Sequence, residues 1–86
     1  STSKASFDLY PNPASDFLLI NLSLPSPQDV SFLLYNNSGQ ELFRLDKFNF
    51  TVGTEIFDIH SLNTGIYYVK AITPSNEYFE KFILVK

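Results

Sequence analysis

Apolar and polar residues alternate at every second position through most of the chain, in segments rich in residues of high β propensity. Helical periodicity is absent, and the segments recur about every 8 to 12 residues with turn residues between them. This spacing predicts an all-β protein, an antiparallel β-sandwich of about seven strands. The predicted strands are residues 7–10, 17–22, 30–35, 40–45, 54–59, 66–73 and 77–85.

Turn residues separate these segments. The motifs Pro11-Asn12-Pro13 and Pro25-Ser26-Pro27 end the first two strands, because proline fixes φ and removes a backbone donor. Asn36-Asn37-Ser38-Gly39 predicts a hairpin turn between the third and fourth strands, since Asn and Gly tolerate positive φ. Gly53 is predicted to close a turn before the fifth strand, and Pro74 to stop the sixth.

One face of each predicted strand is assigned to a core. The core residues are Phe7, Leu9, Leu18, Ile20, Leu22, Val30, Phe32, Leu34, Leu42, Phe57, Ile59, Tyr67, Val69, Ala71, Phe82 and Leu84. The opposite faces also carry apolar side chains, namely Phe17, Leu19, Leu33, Tyr35, Phe79, Ile83 and Val85. These residues either cover a partner surface or lie under edge strands and loops, unless the assumed register is off by one.

The segment from Leu62 to Tyr67 places a leucine before a glycine-containing turn and a tyrosine just after it. This pattern is typical of the tyrosine corner of Ig-like sandwiches, in which the tyrosine hydroxyl bonds to backbone a few residues upstream. Tyr67 is therefore interpreted as structural rather than catalytic, within an Ig-like antiparallel sandwich. Gly65 is predicted where a side chain would clash or where φ must be positive.

Length and composition indicate one small domain. The chain has 86 residues, of which 1–6 are interpreted as a linker tail and 7–86 as the domain. Cysteine is absent, so neither disulfides nor Cys-type zinc sites are expected. Six Lys and Arg are scattered in a chain of net charge −3, which argues against nucleic acid as a partner. No apolar run reaches membrane-spanning length, so no membrane insertion is expected.

Enzymatic activity is not expected. His60 is the single histidine, and although Asp58 lies two residues before it, no nucleophile elbow accompanies them. Asp58 is predicted instead to bond backbone amides of the turn that follows. Neither a calcium loop nor a His cluster is visible, so no metal and no cofactor are expected.

Four motifs in order carry a resemblance to a known family. They are Leu9-Tyr10-Pro11-Asn12-Pro13-Ala14, Tyr35-Asn36-Asn37-Ser38-Gly39-Gln40, Asp58-Ile59 leading to Leu62-x-x-Gly65-Ile66-Tyr67-x-Val69-Lys70, and Lys81-Phe82-Ile83-Leu84-Val85-Lys86. Together they resemble the type A C-terminal sorting domain of the type IX secretion system of Bacteroidetes, across about residues 7–86.

The resemblance implies a secretion and sorting signal whose partners are the type IX translocon and a surface sortase that usually removes the domain. It implies fusion to an N-terminal cargo in a precursor with a signal peptide. Localisation would be the periplasm in transit, then the outer membrane surface or the medium. The recognition residues that it implies are Pro11, Asn12, Pro13, Gly65, Tyr67, Lys81, Ile83, Val85 and Lys86.

Two alternatives stay open at this point. An Ig-like or fibronectin-like accessory module could bind carbohydrate or mediate adhesion through an aromatic face drawn from Tyr35, Phe43, Tyr68 or Tyr78. The last strand is either an edge that a receptor pairs with, or a central strand buried on both sides.

Overall fold

The computed structural model describes residues 5–86, and within them the chain is all-β, as predicted. The strands are β1 (Ser6–Tyr10), β2 (Phe17–Tyr35), β3 (Glu41–Asp58), β4 (Gly65–Ile72) and β5 (Glu77–Leu84). These five strands form one curled antiparallel sheet, so the predicted seven-strand Ig-like sandwich is not confirmed. Residues 1–4 of the predicted linker tail lie outside the described residues, and its last residue, Ser6, begins β1.

β2 is the strand on which the sheet is built. β3 pairs with it along both of its halves, from Phe17 to Ser23 and from Gln28 to Tyr35. β1 pairs with the first half and β4 with the second. β5 pairs with β4 along its whole length, which places β5 at the edge of the sheet.

The strand count differs from the prediction because two pairs of predicted strands are each continuous. Residues 24–27, with their two prolines, have no partner in β3, as the missing donors require, but their backbone stays extended and β2 runs through them. Gly53 was expected in a turn and instead pairs with Leu22 inside β3. Asn49, at φ 55°, donates its N–H to Asp29 Oδ1 at 3.0 Å in the same region.

The β2–β3 hairpin bends back on itself at this point. The ring centroids of Phe43 and Phe57 are 6.1 Å apart although both lie on β3. A straight strand, rising about 3.3 Å per residue, would hold them more than about 40 Å apart. Lys47 Nζ also lies 3.6 Å from Glu55 Oε1 across the bend. The bend therefore brings the two halves of the sheet face to face, with the core between them.

The core agrees with the alternation pattern. The predicted core residues are buried except Phe7, Leu9 and Leu42, which are half-buried and pack against the core. Ala14, Leu24 and Leu33 are buried but were not predicted to be. The predicted hairpin turn is confirmed: Asn36 Oδ1 accepts the N–H of Ser38 and of Gln40, and Gly39 has φ 86°.

Two phenylalanines of β5 provide a matched test of this core. Phe82 is fully buried, whereas Phe79 is 57% exposed on the opposite face. We expect Phe82→Ala to lower the free energy of unfolding by about 3–5 kcal/mol, because it leaves a cavity. Phe79→Ala should cost less than about 1.5 kcal/mol, the contribution of its aromatic contact. Urea denaturation followed by circular dichroism measures both, and equal losses would contradict the assignment of faces.

Candidate functional site

Three segments that are distant in sequence meet at one end of the domain. Ala14 donates its N–H to the carbonyl of Ile83 at 2.8 Å, and Val85 donates its N–H to the carbonyl of Ala14 at 2.9 Å. Gly65, the first residue of β4, pairs with Leu84. We call residues 11–14, Gly65, Tyr67 and residues 83–86 the terminal cluster; it contains every predicted recognition residue except Lys81.

The Pro-Asn-Pro segment is docked on β5. Pro11 and Pro13 have no N–H to donate, so the hydrogen bonds to the last strand are made by the Asn12 side chain and the Ala14 backbone. Asn12 Oδ1 accepts the N–H of Ile83 at 3.1 Å. Both prolines follow cis peptide bonds and are exposed, whereas Ala14 is buried beneath them. This arrangement fixes the segment against the last strand and leaves the prolines open to solvent.

Tyr67 supports the cluster from inside. Its hydroxyl donates to the carbonyl of Asn63 at 2.6 Å, so the predicted tyrosine corner is confirmed. Its ring stacks on that of Phe82 with centroids 5.6 Å apart. Because Tyr67 is only 7% exposed, it positions the chain and offers little surface to a partner.

The predicted reason for Gly65 is wrong. A Cβ at this position would have its nearest neighbour at 3.9 Å, which is ordinary contact distance, and the backbone is not in the positive-φ region that favours glycine. Neither a clash nor a left-handed conformation therefore requires glycine there.

The last residue described, Lys86, is tied to the connection between β3 and β4. Its N–H donates to Thr64 Oγ1 at 3.1 Å, and its Nζ donates to the carbonyl of His60. Asp58 Oδ1 accepts the N–H of His60 at 3.1 Å, as predicted for this carboxylate, and also lies 2.7 Å from His60 Nδ1. The sequence pattern gave no signal for the roles of Thr64 and His60.

The outward side of β5 is an exposed apolar stripe. Ile83 is 42% and Val85 47% exposed, and Ile66, opposite Ile83 on β4, is also exposed. Lys81 lies on the same face, two residues before Ile83, and is exposed. Because β5 is the last strand in the sheet order and one of its faces is exposed, the structure has the edge strand of the two alternatives.

The four aromatic residues considered for a carbohydrate site do not share one face. Tyr35 and Tyr68 line an open cavity of about 450 Å³ together with Phe79, whose ring stacks on Tyr68 at 5.4 Å. Phe43 packs against Phe57 across the bend of β3. Tyr78 packs against Phe7.

Within residues 5–86 no three His, Asp or Glu side chains are grouped so that they would hold a metal ion. The same part of the chain contains no helix long and apolar enough to cross a membrane.

Residues 8–86 match a family model described as a secretion system C-terminal sorting domain. No curated protein sequence matches the chain. The matched region contains the whole terminal cluster.

The contribution of the Asn12–Ile83 hydrogen bond to local stability can be tested with two variants of Asn12, one that removes the acceptor and one that keeps it. We expect Asn12→Ala to speed hydrogen exchange of the Ile83 amide about fivefold, equivalent to about 1 kcal/mol, because the amide loses its acceptor. Asn12→Asp keeps an acceptor oxygen and should preserve the protection. NMR-detected exchange measures both, and equal protection in wild type and Asn12→Ala would show that the bond contributes nothing.

The contact with His60 changes the pH range over which the Asp58 carboxyl titrates. The hydrogen bonds from the His60 side chain and backbone hold the pKa of Asp58 below its ordinary value. A carboxyl whose pKa is lower in the folded state stabilises the fold above its unfolded pKa, and this contribution disappears as pH falls through the folded pKa. We expect the NMR-titrated pKa of Asp58 to rise toward its ordinary value in His60→Ala; an unchanged pKa would contradict this cause.

Proposed function

The chain belongs to the family of type IX secretion system C-terminal sorting domains, and on that premise we propose that the terminal cluster is the surface that the outer-membrane translocon recognises. As a type IX sorting signal, the domain directs export to the cell surface or the extracellular space. The family is not an enzyme family. We further propose that the domain follows a cargo domain in its precursor and reaches the translocon from the periplasm.

The observation that carries the proposal is the bonding between the Pro-Asn-Pro segment and the last strand. Asn12 and Ile83 are 71 positions apart, yet the side-chain oxygen of Asn12 accepts the N–H of Ile83. Ala14 adds two backbone bonds, one to Ile83 and one to Val85, the residue that follows β5. The cluster therefore exists as a surface only when the domain is folded, which supports recognition of a three-dimensional shape rather than a linear peptide.

The exposed side chains give this surface a definite chemistry. Ile66, Ile83 and Val85 offer apolar area that costs free energy while it faces water, and Lys81 and Lys86 add positive charge at its border. An interface with an apolar centre and a polar rim is typical of protein recognition. The proposed receptor surface is therefore apolar at its centre and acidic at its margin.

We propose that processing is separate from this recognition. A surface sortase would cut before the folded domain, upstream of Ser6, because backbone inside a paired strand is not accessible to a protease. Ser6 already pairs with Ser23 in the sheet. The sortase would thus release the cargo and leave the domain intact.

A second candidate is the accessory module that binds carbohydrate. The cavity lined by Tyr35, Tyr68 and Phe79 supports it, since aromatic rings beside polar side chains such as Asn37 suit a ligand with both apolar and hydroxyl faces. This cavity lies on the same sheet face as the apolar stripe, but none of the residues that line it belongs to the terminal cluster. Export and sugar binding are thus separable by experiment.

The first experiment fuses residues 1–86 behind a signal peptide and a folded reporter in a Bacteroidetes host with or without a working translocon. We expect the reporter on the surface or in the medium only when the translocon works. Loss of the tag from exported reporter would support sortase cleavage. A reporter held in the periplasm of both strains would overturn the sorting role for this fragment and favour the accessory module.

The same assay locates the recognition surface. We expect the double variant Ile83→Ser, Val85→Ser to lower export at least about tenfold, because two apolar contacts with the receptor are lost. Deleting residues 83–86 should abolish export too, but it also removes buried Leu84 and is less informative. The matched control is Phe48→Ser, which changes a 78% exposed side chain beside Ile72 and Pro74, at the opposite end of β4 from Gly65. Equal export by the double variant and the control would place recognition elsewhere.

A further inference from the structure

We infer that the free edge of β5 pairs with the same edge of a second copy of this chain, antiparallel, about a two-fold axis at Phe79. This inference does not rest on the sorting function. It rests on the direction of the backbone groups in β5, on the length of edge that is open, and on the charges at either side of Phe79.

The outer edge of β5 has backbone groups without partners. Ile83 directs its N–H to Asn12 Oδ1 and its carbonyl to Ala14, away from β4. Because backbone groups point to the same side at every second residue, those of Lys81 and Phe79 face the same edge. Within the described part of the chain, β5 forms a ladder with β4 and a bridge to Ala14 at Leu84, and the outward backbone groups of Lys81 and Phe79 bond to no other backbone group. Such an edge is a template for another strand.

The open edge is short and its limits are defined. The docked segment occupies it from Ile83 onward, since Asn12 and Ala14 bond there. At the other end β5 begins at Glu77, after the turn that contains Pro74. An incoming strand therefore has residues 77–81 to pair with. The Glu77 N–H, which donates to Asn76 Oδ1 at 3.1 Å, would exchange that acceptor for a carbonyl of the incoming strand.

Only one self-pairing uses the whole of this edge. When two antiparallel copies are centred on Phe79, each Glu77 lies opposite Lys81 of the other copy, and Phe79 lies opposite its own equivalent. Opposite charges facing each other across strands are favourable, and like charges are not. Moving the centre by one residue leaves part of the edge unpaired, and moving it by two pushes the second copy into the docked segment or past the turn. The charges therefore favour the register that uses the whole edge.

The side chains at the axis fit this pairing. Phe79 is 57% exposed, and its ring stacks on Tyr68 with centroids 5.4 Å apart and planes 15° apart. A two-fold axis perpendicular to the sheet keeps the outward faces of both copies on one side. The Tyr68–Phe79 stacks of the two copies then meet at the axis and cover exposed apolar area. Such an isologous contact is self-limiting, because each copy uses its only edge of this kind along β5.

The interface is small, so the dimer is expected to be weak and to form at high protein concentration. Sedimentation velocity of the 86-residue chain over a wide concentration series measures it. We expect Lys81→Glu to weaken association about tenfold, because both cross-strand pairs become repulsive. The double variant Glu77→Lys, Lys81→Glu should regain most of that loss, since the charges are exchanged and complementary again.

The association of the charge-swapped double variant is compared with that of Lys81→Glu and not with that of wild type. Glu77 also lies 3.6 Å from Lys70 within one copy, so the Glu77→Lys change affects this pair as well. A wild-type chain that stays monomeric at every concentration overturns the inference. So does a double variant as weak as the single one, because the stated register would then be wrong.

Cross-linking tests the axis directly in a chain without native cysteine. In the proposed register Phe79 and its equivalent form a hydrogen-bonded pair with Cα atoms about 5.5 Å apart, a separation that a disulfide spans. We expect Phe79→Cys to give a disulfide-linked dimer on mild oxidation. Lys81→Cys is the control, since its two copies lie on opposite sides of the axis and should stay unlinked. Equal cross-linking of the two variants would overturn the register.

Discussion

The bend of the β2–β3 hairpin is the constraint on which the rest of the structure depends. A single small sheet cannot bury its apolar face without a second layer, and this chain provides that layer by bending its own longest hairpin. Prolines in β2 remove ladder bonds where the bend lies, and Asn49 takes a positive φ on the other strand. The contact between Phe43 and Phe57, and the ion pair of Lys47 with Glu55, join the halves that result.

Once the sheet is curled, the terminal cluster follows from topology. β1 pairs with one half of β2 and β4 with the other, and the bend brings these halves face to face. The chain that leaves β1 therefore crosses to the half of the sheet that contains β4, and it docks on β5 at the edge beyond β4. The prolines after β1 cannot pair as a strand, but Asn12 and Ala14 supply the acceptor and the backbone groups that β5 needs there. The edge strand is thus closed at one end and left open at residues 77–81.

Alternation and turn chemistry predicted much of this architecture because both act locally. The buried face of each strand, the Asn36 turn and the hydroxyl bond of Tyr67 were all visible in short windows of sequence. The strand count was wrong because proline and glycine signal a loss of pairing, and whether the chain then turns or bends is decided by tertiary packing. The role assigned to Gly65 failed for the related reason that a glycine in sequence does not reveal its φ. The motifs predicted recognition residues that lie mostly in the terminal cluster, and their role in recognition stays a prediction. The assembly of the cluster depends on contacts between distant segments that no local pattern contains.

The separation of Asn12 and Ile83 in sequence also determines when the terminal cluster can form during synthesis. Ribosomal synthesis delivers Asn12 long before Ile83, and the hydrogen bond between them cannot form until the chain has been made nearly to Lys86. If the cluster is what the secretion machinery recognises, a polypeptide that stops before Ile83 cannot form the recognised surface. The folded cluster then reports that translation has passed β5, and products truncated before this strand are not exported.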